Sequence, residues 1–157
     1  MSKEYLTTYL NDHLMGASTA IEIVEQFTSE ATDLKSFLEQ LKADIEADRQ
    51  AVIDLMARLE IPQSRVRRAS GWLAEQVAEM KFAMEDDSLR RLERLEAVSL
   101  GIQGKLSLWR ALYAASKIDD RLQGLDYETL TERARDQRDR VEALRIDAAK
   151  TALTLAA

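Results

Sequence analysis

Four polar side chains stand in or beside rows of residues whose spacing belongs to a helical core. Between Leu34 and Leu59 the residues Leu34, Leu38, Leu41, Ile45, Asp48, Val52, Leu55 and Leu59 step by fours and threes. That is the seam of a packed helix, and an acid lies near its middle. His13, the single histidine of the chain, occupies the seam Leu6, Leu10, His13, Ala17, Ala20, Val24, Phe27, and Gln137 the seam Tyr127, Leu130, Ala134, Gln137, Val141, Leu144, Ala148, Leu155. Glu96 heads a polar row with Gln103 and Arg110, alongside the seam Leu92, Leu95, Ser99, Ile102, Leu106, Trp109, Tyr113. A carboxylate in such a place must be paired, hydrogen-bonded or protonated, because stranding it in an apolar core is very costly.

Two chemistries fit these residue types. In the first the groups satisfy one another in a buried network of His13, Asp48, Glu96, Gln103, Arg110 and Gln137, with imidazole and carboxylate a natural pair. In the second, imidazole and carboxylates ligate a single transition-metal ion, with Asp12, His13, Asp48 and Glu96 as candidates. Height along the helices favours one contact in particular. Two antiparallel helices joined near residue 30 place His13 and Asp48 almost equally far from the turn, so the two are expected to face each other. Glu96 is expected to meet Gln137 or Arg110.

The elements that must position these groups follow from caps and breakers. Ser2 suits an N-cap, with Glu4 in the favourable first turn. Thr28–Thr32 makes a short turn, and the second helix is expected to be capped near Thr32 and Asp33 and to stop at Ile61-Pro62. A shorter connecting helix is expected over Pro62–Met84, with Val66, Ala69, Leu73, Val77 and Met80 on one face and Trp72 beside it; Arg65, Arg67 and Arg68 read as its solvated start. The third long helix spans about Leu89–Lys117, capped by Asp87 or Ser88. Ile118–Leu125 is a polar loop, and Asp126 caps the fourth. Gly16, Ala17, Ala20, Gly101 and Gly104 are expected to serve close helix contact. The fold class is therefore all-α, an antiparallel four-helix bundle in a single domain over residues 1–157.

Composition agrees. Of 157 residues 46% are hydrophobic and 32% charged, with one Pro and five Gly; this is a globular, helix-favouring balance. The net charge of −6 argues against nucleic acid as a partner. Cysteine is absent, which excludes disulfides, thiolate metal sites and cysteine nucleophiles. No apolar stretch approaches the roughly 18 residues of a membrane span, and no leader is expected from Met1–Thr8, so the cytoplasm is the expected location. Neither a phosphate-binding glycine loop nor a nucleophile elbow occurs.

The strings YLNDHLMGA, LEAVSLGIQGK and LWRAL resemble a group of bacterial ferritin-like domains, and the likeness extends over essentially the whole chain. The resemblance implies two antiparallel hairpins joined by a long crossover, with polar residues turned inward. Metal-binding bundles of this kind carry Glu-x-x-His on two of their helices. Here the matching places read Asp48-Arg49-Gln50-Ala51 or Glu46-Ala47-Asp48-Arg49, and Gln137-Arg138-Asp139-Arg140, without either histidine. The expectation is accordingly a non-catalytic ferritin-like protein of structural, interaction or stress-associated role, without a cofactor and with a second copy of itself as a candidate partner. The alternative is an iron- or manganese-binding protein or oxidase using His13, Asp48 and Glu96.

Overall fold

The computed structural model describes residues 2–64 and 86–155. The expected connecting helix over Pro62–Met84, with its arginines, lies almost wholly outside the described residues. Four long helices account for most of the rest: α1 (Ser2–Glu30), α2 (Lys35–Arg58), α3 (Asp87–Ala115) and α4 (Tyr127–Ala152). Two 3-10 turns, Thr32–Leu34 and Asp120–Leu122, sit in the short connections. The protein is all-α, with no strand among the described residues. None of the described helices is long and apolar enough to cross a membrane.

Local chemistry sets the helix ends. Asp126 caps α4 as expected, accepting from the Thr129 backbone N–H at 3.1 Å and its hydroxyl at 2.7 Å. The cap of α3 is Asp86 rather than Asp87 or Ser88, since Asp86 Oδ1 accepts from the N–H groups of Ser88 and Leu89. No side chain caps α2; the 3-10 turn leads into it through Leu34. At its other end Ile61 N–H bonds Met56 O and Glu60 N–H bonds Ala57 O, the Schellman closure. The left-handed position falls on Glu60, φ 54°, so α2 ends before Pro62 has any say, and Ile61 is buried against the core.

Side-chain pairs give the helix directions. Lys42 meets Glu25 and Arg49 meets Ser18, so α1 and α2 are antiparallel. Arg145 meets Glu96 and Lys105 meets Gln137, so α3 and α4 are antiparallel. Arg94 meets Glu30, and Ala20 packs at Gly101, which makes α1 and α3 antiparallel as well. Arg133 and Gln137 of α4 reach Asp48 and Asp44 of α2. The two hairpins are thus held face to face.

The buried apolar residues form two clusters. One gathers Val24, Phe27, Leu38, Leu41, Ile45, Leu95, Ile102 and Val141; the other gathers Leu10, Leu14, Val52, Leu55, Leu106, Trp109 and Ala134. On α2 the break between them falls at Asp48, on α3 at Lys105 and on α4 at Gln137. A polar layer therefore divides the core across its long axis.

Candidate functional site

The site is this layer, and α2, α3 and α4 each bring charge or an amide to it. Asp48 is 4% exposed. Its Oδ1 accepts from the Arg133 guanidinium, and Lys105 Nζ lies 2.7 Å from its Oδ2. Lys105 Nζ also donates to Gln137 Oε1 at 2.6 Å, and Gln137 Nε2 donates to Asp44 Oδ2 at 2.8 Å. The amide thus relays between an ammonium and a carboxylate, each end matched in polarity. Two acids and two bases balance in charge, which is the condition under which ions persist in a core. Burial pushes the Lys105 pKa down; Asp48 opposes that shift, the nearby Arg133 adds to it, and Asp44 opposes it. Two N–H groups on the margin of the layer, Arg133 Nε and Trp109 Nε1, are buried without an acceptor among the described residues.

Of the residues singled out by spacing, Asp48 and Gln137 belong to the layer and the others do not. His13 is half-buried and does not pair with Asp48; its ring packs edge-on to Tyr9, centroids 4.7 Å apart. Burial lowers its pKa, partly offset by Asp12. The reason is register. Lys42 with Glu25 and Arg49 with Ser18 show that α1 and α2 pair about the 3-10 turn rather than about residue 30. The residue level with Asp48 is then Thr19, some 9 Å along α1 from His13 at about 1.5 Å per residue. Glu96 is exposed and bonded to Arg145 at 3.3 Å, not to Gln137 or Arg110. Gln103 and Arg110 are exposed on the outer face of α3, and Asp12 of α1 is exposed as well.

The layer contains two residues that spacing did not flag. Lys105 was legible in principle, because Val98, Ile102, Lys105, Trp109 and Leu112 also step by fours and threes. Arg133 lies one turn before Gln137 on the same edge of α4. Arg94 was missed too: it is 4% exposed and holds Glu30 through two nitrogens at 3.1 and 3.2 Å.

Beside the layer, between α1, α2 and α3, lies a cavity of about 240 Å³. His13, Gly16, Ala17 and Ala20 line it from α1, Ile45, Asp48 and Val52 from α2, and Gly101, Gly104, Lys105 and Trp109 from α3. The small residues do not serve close helix contact throughout. A Cβ at Gly101 would meet Ala20 Cβ at 3.7 Å, an ordinary contact, whereas one at Gly16 or Gly104 would meet nothing within 4 Å among the described residues.

Of the residues expected to ligate a metal ion, Asp48 and Glu96 are engaged by cations. The Asp48 carboxylate, which a ferritin-like centre would need, faces a guanidinium on one oxygen and an ammonium on the other. Glu96 is turned outward and Asp12 is exposed. No group of three or more His, Cys, Asp or Glu that could hold a metal ion occurs among the described residues. Compared with known proteins, the chain matches no family model, no curated protein and no solved structure.

Proposed function

We propose that this protein is a non-catalytic, ferritin-like four-helix bundle with a structural or interaction role, in which an internal ion layer stands where metal-binding relatives of that architecture would carry their centre. The ferritin-like reading is supported by the helix directions. Two antiparallel hairpins, α1 with α2 and α3 with α4, face each other, and Lys105 beside Asp48 and Arg91 beside Asp33 make α2 and α3 parallel. Parallel second and third helices require a long crossover, and 28 residues separate Arg58 from Asp87, enough to run back along the helices.

The observation that carries the reading is the pair of cations on Asp48. A divalent ion placed there would have to displace or neutralise Lys105 and Arg133, and repulsion between like charges opposes it. The layer's work is then to fix which residue of one hairpin stands level with which residue of the other, a role best attested for buried polar groups in helical assemblies. Apolar side chains left exposed on the long helices, among them Tyr5, Leu100, Tyr113 and Ile146, are available to a second copy or another protein.

The test is to add Fe(II), Mn(II) or Zn(II) to chelator-treated protein and follow the melting temperature. A ligand of the folded state alone raises stability by about 2.7 kcal/mol at a hundredfold excess over Kd. The expected result is no metal-specific rise. A rise that disappears in Asp48→Asn would overturn the reading.

A further inference from the structure

The cavity between α1, α2 and α3 goes beyond that structural role. We propose that it is a binding site for a compact, neutral, largely apolar molecule that carries one hydrogen-bond acceptor. Volume sets the size. An apolar cavity of about 150 Å³ admits benzene, and this one, at about 240 Å³, is half as large again, the scale of a fused bicyclic ring. The walls set the polarity: most are aliphatic side chains, glycine or alanine, with His13 and Trp109 the two rings among them. The charged lining residues, Asp12 and Asp48 against Arg49 and Lys105, are equal in sign count, and burial holds His13 toward its neutral form, so the site offers no net charge to an ion.

Two observations separate this cavity from a mere gap in packing. A Cβ at Gly16 or at Gly104 would meet nothing within 4 Å among the described residues. Replacing glycine by Ala or Leu would favour helices that now bear the poorest helix former after proline, so the sequence forgoes stability to keep the space. Trp109, a wall residue with no solvent exposure, has an indole N–H without an acceptor among the described residues. A buried donor of this kind is expected to find a partner, and a ligand acceptor would supply one.

The experiment uses two isosteric probes, naphthalene and quinoline, the latter uncharged at mildly alkaline pH and bearing a ring nitrogen as acceptor. Each is titrated into the protein and followed by melting temperature and by tryptophan fluorescence of a Trp72→Phe variant. Saturable binding of both at one site is expected. Gly104→Leu should weaken it by at least about tenfold while the variant melts no lower than the parent; Gly16→Leu provides the same block from the opposite wall. Trp109→Phe should weaken quinoline and leave naphthalene unchanged. Absence of saturable binding by either probe, or binding undiminished in folded Gly104→Leu and Gly16→Leu proteins, would overturn the site. An equal response of the two probes to Trp109→Phe would overturn the acceptor.

Discussion

On one side of the polar layer Phe27, Leu38, Leu95 and Ile102 have lost nearly all contact with solvent; on the other Leu10, Leu55, Leu106 and Trp109 have lost theirs as completely. Between them, Asp48, Lys105 and Gln137 occupy seam positions of three helices, and Gly16, Ala17 and Ala20 stand in place of large side chains on the fourth. The halves are filled and chemically uniform, so their contribution scales with the apolar area removed from water. The layer is specific, since its donors and acceptors match in only one alignment of the helices, and it is loosely filled. Stability and register are therefore supplied by different parts of the same core.

The contrast can be broken first at the apolar halves. Leu38→Ala and Leu106→Ala, each truncating a side chain with no exposure, should cost about 2–5 kcal/mol apiece in denaturant unfolding. Similar costs in the two halves are expected; a cost well under 1 kcal/mol in either would show that half to be poorly packed.

The layer should respond in the opposite sense where it is hollow. Among the described residues Gly16→Ala and Gly104→Ala meet no atom within 4 Å, so each should raise stability by roughly 1 kcal/mol, the helix-propensity difference alone. Gly124→Ala provides the control of opposite sign: φ there is 101° and the new Cβ would lie 2.7 Å from Arg58 Nη1. Thermal melts of the three variants decide the matter.

The smallest effect concerns His13, beside the layer. Its folded pKa lies below the ordinary 6.5 because of burial, so the unfolded chain binds the extra proton first as pH falls. Stability should fall as pH drops through about 6.5 toward the folded pKa, and the loss should be absent from His13→Gln. The difference in unfolding free energy between the two proteins, measured from neutral to mildly acidic pH, reports this directly. A difference independent of pH would place His13 in solvent.

Much of this division was legible from spacing. The α2 seam from Leu38 to Leu55 is buried residue for residue, and Gln137 was marked as its polar counterpart on α4. What spacing missed was the identity of the partners. A lysine or arginine at a seam position reads as surface, because long cationic side chains are usually solvated at their tips. Lys105 and Arg133 are exceptions that only the facing Asp48 explains. The level of His13 was misjudged because the pairing centre of α1 and α2 depends on a three-residue 3-10 turn that no strong cap announces. The cavity was invisible for a related reason: small residues permit either close contact or empty space, and the register of the opposite helix decides which.

The central claim is that Asp48 and Lys105 are energetically coupled members of one internal ion layer. The most direct test is a double-mutant cycle of Asp48→Ala and Lys105→Met, read by chemical denaturation. Asp48→Ala alone leaves two cations without their shared carboxylate and should cost about 3–5 kcal/mol. In the Lys105→Met background the same change should cost less, by a coupling energy of at least about 1 kcal/mol. Additivity of the two substitutions within about 0.3–0.5 kcal/mol would contradict the account.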